Sequence, residues 1–218
     1  ANGQHALRVK DDGTTLTRWG IAAPTAAPSA VVGATRIQSI DTFNSISINT
    51  DYTPISCVLS RDITNKQEGA SSLSMLMSAG QVGFAAKILA APLNLTVFSD
   101  GTASTDEDGI RFWIYANGLS NLEGVQLALN YSAGTQLIDG YFITNLRIPS
   151  LIQADGSWTE FVVAKKDFLP AGSAAGGWGA INGLHLIGVA SQGGSVTLKW
   201  DDLRLQGGYE IGKGVNPG

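Results

Sequence analysis

The residues of this 218-residue chain with the chemistry for catalysis or metal binding are two histidines, one cysteine and 18 scattered carboxylates. Their placement argues against a reaction centre. His185 lies inside the apolar run Leu184-His185-Leu186-Ile187, where a satisfied structural histidine is expected rather than a base. His5 lies near the start of the chain. Cys57, in Ile55-Ser56-Cys57-Val58-Leu59, has no cationic neighbour to favour a thiolate and reads as a small buried hydrophobe. No histidine or cysteine spacing fits zinc. No Gly-x-Ser-x-Gly elbow and no phosphate loop is present. Asp106-Glu107-Asp108 reads as a solvated acidic loop or a secondary cation site. The sequence predicts a protein that is not an enzyme.

The elements that position these residues follow from composition and period. Hydrophobic residues make up 44% of the chain and charged residues 15%, enough apolar content for a core and too little charge for a disordered chain. The net charge of −4 argues against a basic nucleic-acid face. No apolar run is long enough for a membrane-spanning helix. Abundant Ser, Thr and Asn, with 27 Gly and 7 Pro, disfavour helices. Apolar residues instead alternate with period two: Ile46 and Ile48; Leu73, Met75 and Met77; Val82, Phe84, Ala86 and Ile88; Ile110, Phe112 and Ile114; Val125, Leu127 and Leu129; Val196, Leu198 and Trp200. Turn signals such as Asp100-Gly101, Asp108-Gly109, Asn117-Gly118 and Asp155-Gly156 separate them. The expected fold is an all-β antiparallel sandwich over residues 35–206, with one short helix at Lys166 to Leu169 and a glycine-rich loop at Ala171 to Gly177. On the last strand Leu203 and Leu205 have the opposite parity to Val196, Leu198 and Trp200. A bulge is therefore expected at Asp201-Asp202, where two adjacent carboxylates need partners if buried.

Both ends read differently. Residues 1–34 form an arm with two short apolar stretches and an Ala/Pro connector that includes Pro24 and Pro28. Trp19, on an arm without a core of its own, is expected to dock on its own domain or on another subunit. Trp19, Pro24 and Pro28 are the candidate assembly residues. Residues 207–218 read as a tail or linker. A start at Ala1 fits removal of an initiator Met or a piece of a longer chain.

Several segments together resemble a known family. They are Asp41-Thr42-Phe43, Glu68-Gly69-Ala70-Ser71-Ser72-Leu73, Asp108-Gly109-Ile110-Arg111-Phe112-Trp113-Ile114-Tyr115, Trp158-Thr159-Glu160-Phe161 and Trp200-Asp201-Asp202-Leu203-Arg204-Leu205. Their order and spacing are similar to the jelly-roll β-sandwich of carbohydrate-binding modules and galactose-binding-like domains. The resemblance implies a structural calcium at Asp41, Glu68 and Asp201 or Asp202, because calcium takes six to eight oxygens and would offset these carboxylates. It also implies a sugar platform. If Phe112 and Ile114 face the core, Arg111, Trp113 and Tyr115 face outward, with Gln126 and Asn130 on a neighbouring strand. Packing of that patch beneath a loop or against another subunit is the alternative. Trp158 and Trp200 fall in the family pattern as core packing residues, and Trp178 as a loop-tip contact or a lid.

The segment from Asp12 to Pro28 resembles linking segments of tailed-phage virion proteins. That likeness implies a virion structural protein, a capsid-decorating or tail-associated subunit on the virion surface. It would assemble with its own copies or other virion proteins through the arm, with a glycan as a further partner. The alternatives are a non-catalytic carbohydrate-binding module of a secreted polysaccharide-degrading enzyme and a module of an extracellular filament.

Overall fold

Among the described residues, period-two alternation folds into twelve strands. In the computed structural model the described residues are 36–48, 50–130, 141–143, 151–152, 154–171 and 177–207, all within the unit that spans Ala34–Gly218. The arm with Trp19, Pro24 and Pro28, the tail from 208 onward and most of the glycine-rich loop lie outside them. In chain order the strands are β1 (Ile37–Asp41), β2 (Thr53–Ile55), β3 (Val58–Asp62), β4 (Ser72–Met77), β5 (Val82–Leu93), β6 (Gly109–Asn117), β7 (Leu122–Asn130), β8 (Tyr141–Ile143), β9 (Trp158–Ala164), β10 (Leu169–Ala171), β11 (Ile181–Ala190) and β12 (Val196–Gln206). The expected helix is a single 3₁₀ turn at Lys165–Asp167.

Every pairing between named strands is antiparallel. The first sheet runs β3-β4-β12-β6-β9, with β1 also on β12; the second runs β10-β8-β7-β11-β5-β2. The result is a jelly-roll β-sandwich. Its core takes Leu73, Met75 and Met77 from β4, Ile110, Phe112 and Ile114 from β6, and Val196, Leu198 and Trp200 from β12. From the second sheet come Val125, Leu127 and Leu129 with Leu184 and Leu186. Trp200 is fully buried, its ring 5.6 Å from that of Phe112.

On β12 the parity change is a bulge. The register with β6 shifts between Asp201 and Arg204, and Asp202 takes a φ of 46°. The extra residue returns Leu203 and Leu205 to the core face, both fully buried.

The structure differs from the alternation pattern on β5. Ala85 points inward, while Val82 and Ile88 are exposed on the outer face. Gly83 shares the inward parity, and a Cβ there would lie 2.7 Å from Met77 Cγ. The methionines of β4 fill this part of the core, so only small residues of β5 fit opposite them. Ile46 and Ile48 are not in a strand; Ile48 makes only an isolated bridge to Tyr52.

Candidate functional site

The outer face of the first sheet carries the outward residues of β6. Arg111 is buried there and Trp113 half-buried, and the loop over residues 63–71 folds across the sheet to reach Arg111. Asp62 starts that loop by accepting the N–H groups of Thr64 at 2.8 Å and Asn65 at 2.9 Å. Asp201, fully buried at the bulge, accepts the N–H groups of Gln67 at 2.8 Å and Glu68 at 2.9 Å on one oxygen. Its other oxygen accepts Asp202 N–H at 2.9 Å. The docked loop brings Glu68 to Arg111, whose guanidinium donates to Glu68, Glu160 and Asp202. Burial alone would lower the Arg111 pKa, but the three carboxylates outweigh it and raise it. Burial also raises the Asp202 carboxyl, against the pull of Arg111. The Arg111 guanidinium carbon sits 5.4 Å from the centre of the Trp113 ring.

Beside this loop, one row of outward side chains crosses the sheet. Ser60 pairs with Ser74, Ser74 with Lys199, Lys199 with Tyr115, and Tyr115 with Trp158. Five strands at about 4.8 Å spacing give a row of about 19 Å. Tyr115 and Trp158 are half-buried, with ring centroids 5.6 Å apart and planes at 53°. Lys199 Nζ lies 4.7 Å from the Tyr115 ring centre and donates to Asp62 at 2.7 Å. Burial opposes ionisation of Asp62, but hydrogen bonds from Asn65, Lys199 and Thr64 prevail and hold its carboxyl far below the usual carboxylate range. Trp158 Nε1 donates to the Asn65 side chain at 2.8 Å. The row thus combines two partly exposed rings, serine hydroxyls, an ammonium, a carboxylate and an amide.

This arrangement divides the expected sugar platform. Arg111, Trp113 and Tyr115 share a face as expected, yet only Tyr115 belongs to the row. Gln126 is on β7 in the second sheet, opposite Ile187 of β11, so it is not beside them. Asn130 ends the same strand, paired with Gly183 and Tyr141; its side chain lies outside the described set. Sheet membership explains the separation: β6 and β7 are consecutive in sequence, but the chain crosses between sheets at Leu119–Asn121. Trp158 was expected in the core and instead faces outward with Glu160 and Val162, because Phe161 takes the inward parity. Lys199, Asp62 and Asn65 had no motif to mark them. The parity of Lys199 between Leu198 and Trp200 was the one available signal.

The four carboxylates expected at calcium are distributed over different partners. Asp41 accepts Lys87 Nζ at 2.6 Å, Tyr52 Oη at 2.8 Å and Phe43 N–H at 2.7 Å. Asp201 holds the loop, and Glu68 and Asp202 hold Arg111. Among the described residues no three His, Cys, Asp or Glu side chains group as metal ligands. Calcium requires oxygens free of competing donors; Lys87 holds Asp41, Arg111 holds Glu68 and Asp202, and three backbone N–H groups hold Asp201, so this donor set does not fit the ion.

Elsewhere, His185 is buried on β11. Cys57 donates to Phe84 O at 3.2 Å, and burial pushes its thiol pKa up. Trp178 packs edge-on against Phe168 at 5.4 Å, as a lid on the core.

No protein-family model and no curated protein sequence matches the chain. Solved structures do. The family 11 carbohydrate-binding module of the cellulosomal cellulase Lic26A-Cel5E of Clostridium thermocellum superposes with a TM-score of 0.52 at 13% identity, over 79% of this chain and 95% of that one. The fold is that of a carbohydrate-binding-module β-sandwich. Carbohydrate-binding modules from the β-sandwich superfamily give 0.50 at 11% identity, over 78% of this chain and 62% of theirs. An exo-β-agarase gives 0.54 at 12% identity, over 80% of this chain. The matched region spans only 25% of that agarase. At such identities the likeness establishes the fold, and function rests on the site.

Proposed function

We propose that the sandwich is a non-catalytic glycan-binding module, working outside the cell as part of a polysaccharide-acting protein. The observation that carries this reading is the half-buried Tyr115–Trp158 pair at the end of a hydroxyl-rich row. Rings of this kind offer an apolar face to the C–H side of a pyranose, while their polar tips and neighbours take hydroxyl hydrogen bonds. Ser60 and Asp62 lie on the same side of the sheet, and Asn65 fixes the indole from the loop. The fold, shared with carbohydrate-binding modules, adds support.

Affinity electrophoresis against soluble β-glucan, xylan and agarose tests the reading. The wild type is retarded by at least one, and Trp158→Ala loses that retardation while its melting temperature stays near wild type. Retardation by none, or full retention by Trp158→Ala, refutes it. Trp113→Ala is not the informative variant, because that ring packs on Arg111.

A second reading is a capsid- or tail-associated virion subunit, which needs an apolar face to bury against a neighbour. Val58 and Leu76 are cross-strand partners and both exposed, and Ile55 and Val82 nearby in the chain are exposed as well. Such a surface suits burial against a neighbouring subunit. Under this reading, deleting residues 1–34, with Trp19, Pro24 and Pro28, leaves a folded monomer that no longer joins its particle. Full incorporation of the truncated chain refutes it.

A further inference from the structure

Arg111 stands at the centre of a cage of carboxylates drawn from three parts of the chain. Nε donates to Glu160 on β9, Nη1 to Asp202 on β12, and Nη2 to Glu68 of the 63–71 loop at 3.1 Å. Arg204 adds a second guanidinium, 3.3 Å from Asp202 and 3.7 Å from Glu68. The Arg111 and Asp202 side chains are only 9% and 8% exposed, whereas Glu68 and Glu160 are 41% and 37% exposed and partly screened by water. Without Arg111, the buried Asp202 carboxylate would be left with Arg204, at 3.3 Å, as its cation. The family resemblance assigns two of the carboxylates, Glu68 and Asp202, to calcium.

We infer that the Arg111 guanidinium is the resident cation of this site, and that it keeps the 63–71 loop docked without a divalent metal. A guanidinium suits the part. It stays charged at all working pH values, and its planar fork of five N–H donors gives each carboxylate its own edge. Calcium would gather oxygens around a point, whereas the guanidinium spreads them around a plane. The consequence reaches the candidate site: Glu68 fixes the loop whose Asn65 accepts the Trp158 indole N–H. The inference concerns the cation alone and is independent of what the row binds.

The test compares melting temperatures of the wild type and Arg111→Ala in EDTA, in millimolar calcium and in millimolar methylguanidinium. The wild type is expected to melt at the same temperature in all three. Arg111→Ala is expected to melt about 5 °C lower in EDTA, having lost the main partner of the buried Asp202 carboxylate. It should regain part of that loss with methylguanidinium, whose planar fork matches the cage, and none with calcium. Calcium raising the wild-type melting temperature by several degrees overturns the inference. So does an Arg111→Ala protein that calcium rescues as well as methylguanidinium does, or that methylguanidinium does not rescue. Should Arg111→Ala fail to fold, Arg111→Lys replaces it; an Arg111→Lys protein that melts below wild type and is indifferent to calcium supports the inference, and one stabilised by calcium overturns it.

Discussion

Replacing Asp201 with alanine removes the anchor of the loop that covers the outer sheet. Its carboxylate accepts three backbone N–H groups, from Gln67 at 2.8 Å and from Glu68 and Asp202 at 2.9 Å. Hydrogen bonds to a charged group contribute about 1.5–3 kcal/mol each. Opposing them is the cost of holding a fully buried carboxylate away from water, several kcal/mol. Both effects register in the group itself: burial pushes its pKa up, and the three N–H groups pull it down. The variant escapes the desolvation cost but leaves three N–H groups without their acceptor, for a net loss of about 3 kcal/mol. In a chain of this length that is a fall of roughly 10 °C in melting temperature. Thermal unfolding followed by circular dichroism measures it, and hydrogen exchange at the amides of residues 67 and 68 localises it. Asp201→Asn keeps a neutral acceptor oxygen and should lose less than half as much. An Asp201→Ala protein that melts within about 2 °C of wild type, with both amides still protected, would refute the reasoning.

Two further perturbations follow from the same geometry. The Asp62 pKa is depressed in the folded state, so its stabilisation is present above the unfolded value of about 3.9 and is lost as pH falls below it. Asp62→Asn should flatten the stability profile below about pH 4, and an unchanged acid limb in urea titrations at several pH values would count against this. Lys87→Met removes the ammonium that faces Asp41 across the two sheets, at a cost of about 2 kcal/mol because Lys87 is partly exposed. Adding Asp41→Asn should recover part of that loss, and strict additivity of the two changes would show that the pair is not coupled.

The sandwich was legible because each strand carries its own period. Ile110, Phe112 and Ile114, or Val125, Leu127 and Leu129, need no distant information to declare a buried face. The bulge was legible for the same reason, since Leu198 and Leu205 cannot share a face without an extra residue. The site was harder to read. Nothing local tells that Gln126 and Tyr115 belong to opposite sheets, because sheet membership is set by how the chain crosses the core. Nor does Arg111 reveal that it will be covered: its partners Glu68, Glu160 and Asp202 meet it only once Asp201 has drawn the loop over the sheet. On β5, Val82 and Ile88 face solvent because Met77 fills the space opposite Gly83. The family pattern puts Trp158 in the core, whereas its parity, opposite to that of Phe161, turns it outward.

The claim that the Tyr115–Trp158 row contacts glycan is tested most directly by mapping amide and indole chemical shifts of isotope-labelled protein. The titrant is an oligosaccharide of whichever polysaccharide retards the protein. The expected result is a set of shifts centred on the Trp158 indole N–H, Tyr115, Lys199 and Asn65, absent in Trp158→Ala. Shifts centred instead on Gln126 and Ile187 of the second sheet, or none at saturating sugar, would contradict it.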